Sequence, residues 1–161
     1  MQEFFANYSN YILFFHVLSA IIWVGGMIAL RFAVHPAMQH IEDPTIKLAR
    51  TLEFLKRFFM MVIPFIVLLI ITAALLAIGL NFKEGDPFLY QVVHVKEGLW
   101  TIMTIIFSVI FVRRNRAEKA FIAGDFTETK RQLAPIAAYL IPTNIALGVI
   151  ALYFGGILRG F

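Results

Sequence analysis

Two histidines in this chain sit where an imidazole is costly to keep. His16 lies in the apolar run 14–38, FFHVLSAIIWVGGMIALRFAVHPAM, about a turn and a half inside the span that begins near Tyr11. His94 lies in QVVHVKEGLW, a similar distance inside another apolar run. An ionisable side chain within a membrane span is a functional-site hypothesis by default, because it needs a partner there. Each histidine follows the start of its run by roughly five residues, which at ~1.5 Å per residue sets both imidazoles ~7–8 Å deep. Two imidazoles at equal depth on parallel helices can face each other across a bundle and ligate one haem iron from both sides. Filled axial positions suit electron transfer. Ala20 and Gly98, four residues beyond each histidine, are small enough to leave room for a porphyrin face, and Trp23 and Trp100 could wall its edge. The competing expectation is that each histidine is a lone polar residue bonded to a carbonyl of a neighbouring helix.

Other groups carry further chemistry. Lys96 and Glu97 follow His94 directly. Lys96 either snorkels to the interface, meets a propionate or substrate carboxylate, or is itself an axial ligand. His35, Met38 and His40 form H-x-x-M-x-H at the far end of the first run, a donor set suited to copper, Cu(I) above all. A surface loop is the simpler reading of that motif. Arg31, one turn before His35, is expected to snorkel to the same interface, unless a second cofactor lies on that side.

The elements that must position these groups are membrane spans. Of the 161 residues, 60% are hydrophobic and 17 are Phe, more apolar surface than a soluble domain of this size can hide. Four stretches approach the roughly 20 apolar residues needed to cross a bilayer: about 11–34, 58–80, 89–112 and 135–158. The expected fold is therefore all-α, a single-domain integral membrane four-helix bundle over residues 1–161. The absence of cysteine excludes disulfides, thiolate metal sites and thiol redox chemistry. Residues 1–10 carry no Lys or Arg, so no removable signal peptide is expected.

Eleven Lys and Arg lie in or beside the first and third connections, against three (Lys83, Lys96, Arg159) on the other side. The positive-inside rule then places both termini on the outer, periplasmic face of a bacterial inner membrane. It also explains the net charge of +4 without nucleic acid. Asp43-Pro44-Thr45 reads as a helix start. It opens an amphipathic cytoplasmic segment at about 44–57 that runs into the second span. The third helix is expected to extend through RRNRAEKAFIAG and break at Gly124-Asp125, and Gly85-Asp86-Pro87 to form a short outer turn. In the fourth span Pro142 should loosen the helix, with Asn144 available for a polar contact. Gly148, Ala151 and Gly155 share a face for close packing, within the bundle or in a homodimer.

The run FHVLSAIIWVGGM, followed by an Arg and a His, with HVK near the start of the third span, resembles the HemJ-type membrane protoporphyrinogen oxidases and the wider CopD-like membrane proteins. The likeness covers about a quarter of the chain. It implies a four-helix b-type haem protein in which His16 is the family's span-one histidine and Lys96 its lysine. Protoporphyrinogen IX would then be a candidate substrate. HemJ proteins carry a longer aromatic-Leu-Pro-Arg run where this chain has only Ala29 to His35, and the Gly25-Gly26 pair is the more CopD-like feature.

These readings converge on a haem-b protein in the bilayer with a redox role, passing electrons from an outer donor or porphyrin substrate to quinone. Its alternatives are a CopD-like copper carrier and a cofactor-free subunit of a larger membrane complex. The expected site is a haem between His16 and His94, with Lys96 left open as an alternative second axial ligand.

Overall fold

The computed structural model describes residues 2–80 and 86–158, and they are almost wholly helical. Lys83, Gly85 and Arg159 lie outside them. The first span is one continuous rod: α1 (Gln2–Ala20), a π-turn (Ile21–Gly25), α2 (Gly26–Ala29), a second π-turn (Leu30–Val34) and α3 (His35–Gln39). The second span is α4 (Pro44–Gly79) and the third α5 (Pro87–Ile122). The fourth is α6 (Phe126–Pro135), a π-turn (Ile136–Leu140) and α7 (Ile141–Ile157).

Each connection ends on an aspartate that starts the next helix. Asp43 accepts from the Thr45 and Ile46 amides at 2.7 and 3.1 Å, with Pro44 in the first helical position. Asp86 accepts from the Phe88 amide at 2.8 Å ahead of Pro87, and Asp125 from the Glu128 amide at 2.9 Å. Gly124 makes the break before Asp125 with φ +78°, a conformation that glycine adopts without the strain a Cβ would bring.

Four of these rods are long and apolar enough to cross a membrane: Asn7–Gln39, Pro44–Gly79, Pro87–Ile122 and Phe126–Ile157. Their outward faces carry Phe14, Val67, Ile71, Ile105 and Val149, all exposed. So wide an apolar girdle needs lipid around it. The spans pack in the ring order first, second, third, fourth and back to the first. The first and third therefore face each other across the bundle.

The 44–57 segment is the opening of α4 itself, coaxial with the second span. Its apolar stripe, Leu48, Leu52 and Leu55, is buried in the protein core. Arg114 on α5 secures this end. Its buried guanidinium donates to the Leu52 carbonyl at 3.2 Å and forks onto Glu118 at 2.6 and 2.9 Å.

At mid-bundle an edge-to-face series joins Trp23 to Phe107 and Phe107 to Phe59, at 6.0 and 5.1 Å between centroids. The fourth span closes on this core through Gly148, where a Cβ would stand 2.7 Å from Val24 Cγ2 and 3.2 Å from Met103 Cε. The β-branched Val24 cannot swing aside. Gly148→Ala should therefore destabilise the bundle by about 1–3 kcal/mol, read as a lower melting temperature in detergent; an unchanged melting temperature would contradict this packing.

Candidate functional site

The inward stripe of the first span runs through Ile12, Ser19, Trp23, Val24 and Met27. Half-buried His16 and Ala20 lie along it. Thr72 of α4 meets the imidazole, its Oγ1 3.1 Å from His16 Nδ1. That hydroxyl has a single proton, which it donates within its own helix to the Leu68 carbonyl at 2.7 Å, with Leu69 O at 3.0 Å. Towards His16 the hydroxyl oxygen can only accept. Nδ1 of His16 therefore carries the hydrogen, and Nε2 keeps its lone pair. This is how an outer hydrogen bond prepares a histidine to ligate a metal. Thr72 is nearly fully buried. It was not among the sequence-derived candidates; one hydroxyl in an otherwise apolar stretch is the only signal it offers.

The third span turns Lys96 inward, not His94. Its buried face runs Val92, Met103, Phe107, Ile110, Arg114, Ala117, and half-buried Lys96 and Trp100 fall on the same helical stripe. Lys96 Nζ reaches the fourth span, 3.3 Å from where a Cβ on Gly155 would be. Gly155, expected as a packing position, thus makes room for the Lys96 side chain.

His94 lies about 200° around the helix from Lys96. Its side chain is 54% exposed and its Nδ1 is 3.0 Å from Glu97 Oε2 on the same helix. Its ring packs edge-on against Tyr90, with centroids 4.4 Å apart. The expected face-to-face histidines are therefore not brought together: a two-residue offset rotates one of them away. Gly98 shares that exposed side, and a Cβ there would meet nothing within 4 Å.

Two indole N–H groups, Trp23 Nε1 and Trp100 Nε1, are buried with no acceptor. Such orphaned donors are rare in folded interiors. They fit a polar guest in the bundle better than a lipid-like core. Asn144 is fully buried, its Nδ2 3.5 Å from Met27 Sδ. Met27 follows His16 by about three turns, so Asn144 stands well below the imidazole.

At the opposite, basic end, Gln39 Nε2 can only donate, which makes His35 Nε2, 3.4 Å away, the acceptor. Lys47 Nζ in turn donates to Gln39 Oε1 at 3.2 Å. His35 and Met38 line a common cleft with Arg31, and His40 lies outside that lining. Arg31 has its guanidinium 5.7 Å from the centroid of the Phe32 ring. Among the described residues no three His, Cys, Asp or Glu side chains converge as a metal-holding group.

No family model matches the chain, and no curated protein or solved structure matches it either.

Histidine-selective nitrogen NMR of the membrane-reconstituted apoprotein should find His16 in the Nδ1–H tautomer. Thr72→Val should mix the two tautomers. Wild-type His16 protonated on Nε2 would overturn the assignment.

Proposed function

We propose that the chain is a haem-b protein of the bacterial inner membrane, with His16 and Lys96 as the two protein groups on the haem and a role in electron transfer. The observation that carries this reading is the pairing at the outer end of an inward imidazole with a free Nε2 and an inward lysine, above two buried indole donors without acceptors. The donor set fits the group: one imidazole nitrogen, one amine nitrogen, and N–H groups suited to a propionate oxygen. A lysine ligates only as the neutral amine. The cleft between the first, second and fourth spans lies elsewhere. Admitting a porphyrin between His16 and Lys96 therefore requires the outer halves of the first and third spans to part.

Haem, when bound, supplies a one-electron couple; the protein supplies ligation and burial, which tune its potential. The asymmetry of basic residues supports termini on the outer side, which puts the site near the outer face. An electron donor or a reduced porphyrin would approach there, and quinone dissolved in the bilayer is the acceptor. Oxidation of protoporphyrinogen IX is the specific version suggested by the likeness of the first span and the HVK run to HemJ-type proteins.

The copper reading drew on His35, Met38 and His40. In the structure His35 Nε2 is occupied by Gln39, and His40 does not join the other two at the cleft.

The test is a dithionite-reduced minus oxidised spectrum of protein purified from haem-replete cells. A low-spin b-type spectrum is expected in wild type and in His94→Ala. His16→Ala should lose it, Lys96→Met should turn high-spin, and Thr72→Val should bind haem about 10-fold more weakly. Wild type without haem would overturn the reading. A spectrum lost in His94→Ala and kept in Lys96→Met would return the second axial position to His94.

A further inference from the structure

We propose that the cleft at the basic end of the bundle is a binding site for one anionic phospholipid of the surrounding bilayer. Its phosphate would sit on Arg31 and one of its acyl chains along the apolar wall.

The cleft opens where the first, second and fourth spans meet, and two π-turns shape it. Leu30, Arg31 and Val34 come from one, Ile136 and Ala137 from the other. Both turns end two residues before a proline. The His35 amide bonds back to Leu30 O ahead of Pro36, and the Ile141 amide to Ile136 O ahead of Pro142. Proline has no N–H and clashes with the carbonyl four residues earlier. Widening the turn to an i→i−5 bond takes up that misfit and rotates the preceding side chains. The same backbone device thus appears on two facing walls of one cleft, and π-turns cluster at functional sites.

Charge identifies the occupant. The walls are apolar and no carboxylate lines them. Arg31 is half-buried at the rim, and no ion pair among the described residues involves it. His35 stands beside it, linked through Gln39 to the Lys47 ammonium. This rim offers hydrogen bonds and positive charge to a phosphate but nothing to the ammonium of a zwitterionic head group. Basic pockets between spans on the cytoplasmic side take anionic head groups in this way. The basic loops around the cleft put it at head-group depth, where an arginine on a span end reaches the interface. The site is independent of the haem reading.

The full chain would be reconstituted in phosphatidylcholine nanodiscs containing equal small fractions of phosphatidylglycerol and phosphatidylethanolamine. After gentle extraction, the lipid retained per protein would be read by native mass spectrometry. Wild type should retain phosphatidylglycerol in preference to the other two. Arg31→Gln should lower that retention about fivefold, and Arg31→Lys should keep most of it. Lys130→Gln, which removes an exposed charge of the same end outside the cleft, should change nothing. Equal retention of all three lipids would overturn the proposal, as would phosphatidylglycerol retention in a folded Arg31→Gln variant matching wild type. Displacement of the lipid by inorganic phosphate alone would also overturn it, since the site would then be for an anion without a chain.

Discussion

In a bundle with apolar surroundings, a polar side chain inside must be met by another polar group. Lipid offers nothing to a stray hydrogen bond, so every such group either finds a partner on a neighbouring span or marks a place where something else binds. His16 finds Thr72, and Thr72 finds the Leu68 carbonyl. Arg114 finds the Leu52 carbonyl and the Glu118 carboxylate. These two anchorages lie near opposite ends of the second span and tie it to the first and third. Four buried polar atoms among the described residues are left unmet, the indole N–H groups of Trp23 and Trp100, Nε of Arg114 and Oδ1 of Asn144, and so is a guanidinium beside a cleft that no carboxylate lines. The two indoles lie on the spans that carry His16 and Lys96, and the guanidinium lies at the basic end.

The rotation of the third span decides which of its side chains stands inside the bundle with His16. His94 and Lys96 are two residues apart, which on a helix means nearly opposite faces. With Lys96 inward, an imidazole and an amine come from spans that face each other across the ring, and Thr72 on the span between them meets the imidazole. His94, Glu97 and Tyr90 then form a small polar group on the outside of the same helix. That group lies two turns from the helix start at Pro87, where the interface can solvate it.

Much of the fold is legible because each helix boundary is written in local chemistry. Asp43-Pro44, Asp86-Pro87 and Gly124-Asp125 are cap and turn signals that act within a few residues, and the structure uses all three. The spans are legible from length and apolarity. The facing of α5 is not. In its first turns Val92, Val95 and Leu99 share one side with Lys96, while Gln91, His94 and Glu97 share the other, so an ionisable side chain goes inward whichever side faces the bundle. Equal depth for His16 and His94 could be read from residue counts, but the angle between them could not. Thr72 is hidden for a related reason. A hydroxyl that bonds back to its own helix costs little in a span, so its presence says nothing until a neighbour is seen against it. The π-turns before Pro36 and Pro142 lie between these cases: proline announces a disturbance, but not that two of them share one cleft.

The pairing of His16 with Lys96 in preference to His94 can be measured without any cofactor, because the chain has no cysteine of its own. Cysteines would be placed at 16 and 96 in one variant and at 16 and 94 in another, and each treated in membranes with a short bismaleimide. Efficient intramolecular bridging of the 16/96 pair with little of the 16/94 pair is the predicted result. Bridging of 16/94 at the expense of 16/96 would mean that the third span is turned the other way, and the outer site would have to be rebuilt around two histidines.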